Sequence, residues 1–198
     1  MPQQTIRLGV NGASGRMGRA LLALIREDRR FELVYAGVSA GSDHDGKPVF
    51  GELSTSIRYG HDWQSARNAD VIIDFSGPDG LAAALTQCAE HGIALVTGTT
   101  GIDASLQKRL TDATSRIAVL HAANFSLGVA VLTRLLRDAA AALPDWDLEI
   151  IESHHSRKED APSGTALALG HVAAEARGTT LEKDAVYVRE GRPGARPH

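Results

Sequence analysis

The chain has 198 residues, 43% of them hydrophobic and 23% charged, which suits one large or two small globular domains with a real core. A formal net charge of −3 gives no basic surface for nucleic acid or an anionic membrane, and no apolar run reaches membrane-spanning length. The single cysteine, Cys88, excludes an intramolecular disulfide framework. Together with a start that lacks the layout of a signal peptide, it points to the cytoplasm.

The first 125 residues alternate strand and helix signals. Ile6–Asn11 is an apolar run ending at glycines. Arg16–Glu27 follows with helical spacing of Met17, Leu21, Leu24 and Ile25. Phe31–Val38 reads as a second strand and residues 39–54 as a polar, Gly-rich loop. Val71–Phe75, Ile93–Thr97 and Ile117–His121 read as further strands, separated by helices at Leu81–His91 and Ser105–Thr114. Continuously apolar strands alternating with helices predict a parallel sheet covered on both faces. Cys88 lies in one of the helices and reads as core packing.

Beyond Asn124 the rhythm changes, with a long Ala/Leu-rich helix over Leu127–Leu143 and a strand over Asp147–Ser153. A polar run at 152–165, a helix from about Ser163 to Ala176 and a short strand at Ala185–Arg189 follow. The last residues, from Gly191 on, read as unstructured. The predicted architecture is α/β, a Rossmann-like doubly wound parallel sheet over residues 1–125 and a second α+β domain over 126–198.

Four strand ends carry the first half's chemistry. Gly12, Gly15 and Gly18 (GASGRMG) separate the first strand from the first helix. Glycine permits positive φ and a close backbone approach, while the helix start presents N–H groups to a phosphate. The spacing departs from G-x-G-x-x-G, so the motif gains weight only from the strand, helix and later strands around it. DFSGPDG at 74–80 and GTTG at 98–101 end two further strands on the edge where such sheets bind ligands. Ala122–Phe125, after the fifth strand, belongs to that edge too. The second strand runs into Ser39 and Ala40. No acid for a ribose and no base for a 2′-phosphate stands there, which forbids neither NADH nor NADPH.

The run ESHHSRKEDAPSGT, 152–165, packs two histidines, a lysine and a Ser-Gly-Thr helix start into fourteen positions. Histidine exchanges protons near neutral pH, Lys158 supplies positive charge, and the helix start suits an anion. A metal site is a poor fit, because adjacent histidines lack a suitable further ligand set. A solvated polar loop remains an alternative for these residues taken alone.

GASGRMG at 12–18, DFSGPDG at 74–80, VTGTTG at 96–101, AANFSLGV at 122–129 and ESHHSRKEDAPSGTALALG at 152–170 together resemble the dihydrodipicolinate reductase (4-hydroxy-tetrahydrodipicolinate reductase) family, in the family's order. The resemblance implies an oxidoreductase of lysine and diaminopimelate biosynthesis that reduces a cyclic dicarboxylate with NADH or NADPH. It implies His154 as proton donor and acceptor and Lys158 as proton donor. His155, Gly164 and Thr165 match substrate-binding positions, with Ser163 and Thr100 beside them. The cofactor stretches match Gly12, Ala13, Ser14, Gly15, Arg16, Met17, Gly98, Thr99, Thr100, Ala122, Ala123, Asn124 and Phe125, and no metal is implied. A homotetramer is the family's assembly, formed through the second domain. The chain stops short of the family's usual end, so that domain is expected to be incomplete. The rivals are a nucleotide-binding regulatory or inactive module and a dehydrogenase of another small dicarboxylate.

Overall fold

In a computed structural model, residues 5–51, 57–154, 156 and 161–187 are described. They fall into two compact units, Met1–Ala122 and Ala123–His198.

The first unit holds β1 (Ile6–Asn11), α1 (Arg16–Glu27), β2 (Phe31–Gly37), β3 (Tyr59–Gly60), β4 (Val71–Asp74), α2 (Pro78–His91), β5 (Ala94–Thr97), α3 (Ala104–Ala113) and β6 (Val119–His121). All five strand pairings are parallel, and the spatial order is β3-β2-β1-β4-β5-β6. The order reverses between β1 and β4, where doubly wound sheets open a ligand crevice at the carboxyl edge.

Side-chain alternation splits the core between the two faces of this sheet. Leu8, Val10, Leu33 and Ala36 meet Leu22 and Ile25 of α1, with Val71 and Ile73 against them. Ile72, pointing the other way from its neighbours, joins Leu95 with Leu81, Leu85 and Cys88 of α2 and Leu106 and Leu110 of α3. Cys88 is buried, and that burial, with Asp74 nearby, pushes its thiol up to about 12. Such a thiol packs rather than reacts.

Most elements stand where hydrophobic period places them; the differences are local. α2 starts at Pro78 rather than Leu81, because proline is pre-organised for the first helical position. β3 was not expected. Its two residues pair with Ala36 and Gly37, a ladder too short for any period to register.

The second unit contains α4 (Leu127–Ala142), α5 (Gly164–Ala176) and α6 (Leu181–Asp184). Ser126 and Ser163 cap α4 and α5 by accepting the N–H groups of Val129 and Ala166. Gly170 lets α6 approach, since a Cβ there would lie 2.8 Å from Leu181 Cδ1. The strand expected over Asp147–Ser153 does not form, because its alternating side chains find no partner ladder among the described residues. Ala185–Tyr187 is likewise not a strand, and the rest of that expectation lies outside the described residues. No helix among the described residues is long and apolar enough to cross a membrane.

Candidate active site

The sheet register lines up one polar rank at the carboxyl edge of the first unit. Asn11 of β1 pairs with Asp74 of β4, Asp74 with Thr97 of β5, and Thr97 with His121 of β6. In-register neighbours of a parallel sheet face the same side, so these side chains meet. Asp74 is fully buried, 0% exposed. Its Oδ1 accepts the Asn11 amide at 2.8 Å and the Ser76 hydroxyl at 2.5 Å, and its Oδ2 accepts the Thr97 and Thr99 hydroxyls, both at 2.7 Å. Thr97 Oγ1 in turn accepts the Thr99 N–H at 3.2 Å. Four donors on one carboxylate offset the cost of burying it.

This network shapes the turns that the sequence singles out. It turns the Thr99 side chain inward, while Thr100 stays exposed. His121 Nε2 lies 3.3 Å from the Thr99 carbonyl oxygen and braces the same turn. Gly98 has the Phe75 ring against it, a Cβ there falling 2.2 Å from Phe75 Cε1. Asp74 is not among the expected site residues, although DFSGPDG marks its strand end. An acid ending an otherwise apolar strand was the signal that could have found it.

The GASGRMG turn is packed so closely that two of its glycines admit no side chain. Gly12 has φ +74°, and a Cβ there would sit 2.5 Å from the Phe75 carbonyl oxygen. A Cβ on Gly18 would sit 2.3 Å from the Gly12 carbonyl oxygen, so only glycine lets α1 pack onto its own turn. The N-caps of α1 and α2, Gly15 and Gly77, carry no side-chain cap, whereas α3 is capped by Asp103. Among the described residues no backbone carbonyl accepts the N–H groups of Ser14, Arg16 or Met17. Orphan donors at a helix start, beside the switch point, fit a pyrophosphate. The residues present therefore fit a dinucleotide.

In the second unit, Glu152 Oε1 accepts the Ser163 N–H at 2.7 Å. Its Oε2 accepts the Ser163 hydroxyl and lies 2.9 Å from His154 Nε2. Burial pushes the Glu152 carboxyl up. Hydrogen bonds from the Ser163 hydroxyl, from His154 and from the Ser163 N–H outweigh burial and hold it at about 2. Asn124 donates to Thr165 Oγ1 at 3.0 Å, bringing an expected cofactor residue and an expected substrate residue into contact. Gly164 and Thr165 open α5. His155 and Lys158 lie outside the described residues.

Comparison with known proteins places both units. Residues 6–125 match the family model described as dihydrodipicolinate reductase, N-terminus, and residues 128–197 match its C-terminus counterpart. Over 176 residues, 87% of this chain and 71% of the relative, the chain is 47% identical to 4-hydroxy-tetrahydrodipicolinate reductase of Xanthomonas axonopodis pv. citri (strain 306). It is 45% identical over the same span to the enzyme of that name from Xanthomonas campestris pv. campestris (strain B100). Among solved structures it is similar to dipicolinate-bound dihydrodipicolinate reductase from Paenisporosarcina sp. TG-14. That match has a TM-score of 0.70 and 26% identity, covering 98% of this chain and 72% of the other.

Proposed function

Because this chain belongs to the dihydrodipicolinate reductase family, we propose that it reduces 4-hydroxy-tetrahydrodipicolinate (dihydrodipicolinate) to tetrahydrodipicolinate with NADH or NADPH, in lysine and diaminopimelate biosynthesis. The reading rests on the presence in one chain of an uncapped glycine turn at the β1/β4 switch point of the first unit and, in the second unit, a histidine held by a carboxylate bound to the start of α5.

Reduction adds a hydride and a proton, and the nicotinamide supplies the hydride. The protein's own tasks are to hold two carboxylates, place the reacting carbon and deliver the proton. Gly12, Ala13, Ser14, Gly15, Arg16 and Met17 would form the pyrophosphate turn, with the N–H groups of Ser14, Arg16 and Met17 as its donors and Gly98, Thr99, Thr100 and Ala122–Phe125 nearer the nicotinamide. Thr99 shapes its turn from within, its hydroxyl held by Asp74 and its N–H by Thr97. His154 gives and takes the proton, and Lys158 donates a proton and neutralises substrate charge. His155, Gly164 and Thr165 grip the substrate's carboxylates, beside Ser163 and Thr100.

A cytoplasmic location and assembly as a homotetramer through the second unit belong to the same proposal. Support for association comes from α4, where Leu127, Val131, Leu132 and Leu135 are all exposed.

Lys158→Ala tests the assignment of roles. Turnover should fall by roughly a hundredfold or more, the usual scale for a lost general acid, while nucleotide affinity measured by fluorescence titration stays unchanged. An equal loss of both would remove Lys158 from the proton step.

A further inference from the structure

Residues 152 and 154 are two apart in a segment that is neither helix nor strand. There the Glu152 carboxylate reaches the His154 ring, its Oε2 lying 2.9 Å from Nε2. The same carboxylate is pinned from the other side. It accepts both the N–H and the hydroxyl of buried Ser163, whose Oγ also caps α5 by accepting the Ala166 N–H at 3.1 Å. Glu152 thus joins the histidine to a helix start.

An ionised carboxylate accepts hydrogen bonds and cannot donate them. The nitrogen facing Glu152 must therefore carry the proton of the neutral ring, leaving Nδ1 as the basic atom. We infer that Glu152 is a positioning residue of the reductase site, fixing His154 with Nε2–H on the carboxylate so that Nδ1 exchanges the proton with the substrate. This rests on the reading of His154 as the proton-exchanging group.

The step balances. The protonated ring gives the Nδ1 proton to the substrate as that N–H bond breaks and its electron pair returns to Nδ1. A bound nicotinamide would supply the two electrons of the reduction as hydride. Ser163 serves this step through Glu152, by holding the carboxylate still. Glu152 is ionised across the neutral range, because its donors outweigh the burial that would protonate it.

The test combines a tautomer measurement with kinetics on the intact chain. The protein is labelled with 15N-histidine, and the His154 signals are assigned by their loss in His154→Asn. In the neutral ring the wild type should show a single Nε2–H tautomer with the Nε2 shift of a carboxylate-bound N–H, and Glu152→Ala should lose that signature. The kcat of Glu152→Ala should fall roughly tenfold or more, with the nicotinamide KM unchanged. Glu152→Asp, which keeps a carboxylate, should recover part of kcat. If Glu152→Ala fails to fold, Glu152→Gln carries the kinetic arm, and its kcat should also fall at a temperature below its own, lowered but still cooperative, melting transition. A wild-type Nδ1–H tautomer, or an unchanged kcat in a folded Glu152 variant, would overturn the inference. A wild type with the expected tautomer but no turnover would sink the reductase reading while leaving the positioning geometry intact.

Discussion

The Asn11 side-chain amide donates to the Asp74 carboxylate at 2.8 Å, closing the ends of β1 and β4 across the point where the strand order reverses. With Ser76, Thr97 and Thr99 on the same carboxylate, one buried acid sets the shape of three strand-end turns. Removing it leaves those donors without their acceptor in a dry place. Asp74→Ala should lower unfolding stability by roughly 3 kcal/mol, read from urea denaturation. The same variant should bind NADH more weakly, because the GTTG and GASGRMG turns lose their common anchor. Unchanged stability would mean that the carboxylate carries no structural burden.

The phosphate turn makes a sharper steric case. A methyl group on Gly18 would lie 2.3 Å from the Gly12 carbonyl oxygen and 2.6 Å from Ala13 Cα, both backbone atoms that cannot swing aside. Gly18→Ala should cost about 1–3 kcal/mol and weaken NADPH binding in a titration. Gly77→Ala is the control for stability, since a Cβ there meets nothing within 4 Å, and its melting temperature should match the wild type.

The parallel sheet was legible because buried strands of such a sheet are apolar runs, and Ile6–Asn11 and Val71–Asp74 stand close to where those runs lie. The helix starts at Arg16 and Gly164 were legible from glycine and serine chemistry. The Asp74 hub was not, because it depends on register. Only pairing brings Asn11, Asp74 and Thr97 abreast, from positions 63 and 23 residues apart. Glu152 stands in the 152–165 motif with no expected role, since only the fold sets its carboxylate against both His154 and Ser163. The Asp147–Ser153 expectation failed for the opposite reason. Alternation alone cannot make a strand without a ladder to join.

Glu152 also ties folding to pH. Its carboxyl is depressed from 4.5 to about 2 in the folded chain, so its stabilisation is fully present above the unfolded value. That stabilisation drains away as pH falls from about 4.5 towards about 2. Glu152→Gln should therefore melt below the wild type at neutral pH. The gap between the two melting curves should close on titration through that acid window. A gap that persists at the acid end would show that the carboxylate's charge is not what stabilises α5.

In dinucleotide-binding folds the residues after the second strand choose the cofactor, and here exposed Ser39 and Ala40 present neither an acid to a ribose nor a base to a phosphate. The KM values for NADH and NADPH should agree within roughly tenfold. Ser39→Asp should raise the NADPH value selectively, by repelling the 2′-phosphate. Equal effects on both nucleotides would move the discriminating contact elsewhere.

Turnover by the purified chain tests the reductase reading most directly. The purified chain should be mixed with NADH or NADPH and enzymatically generated 4-hydroxy-tetrahydrodipicolinate, and the nicotinamide absorbance followed. Substrate-dependent loss of that absorbance, abolished in His154→Ala, is the expected result. Nucleotide binding with no oxidation on adding substrate would contradict it and leave a binding module in its place.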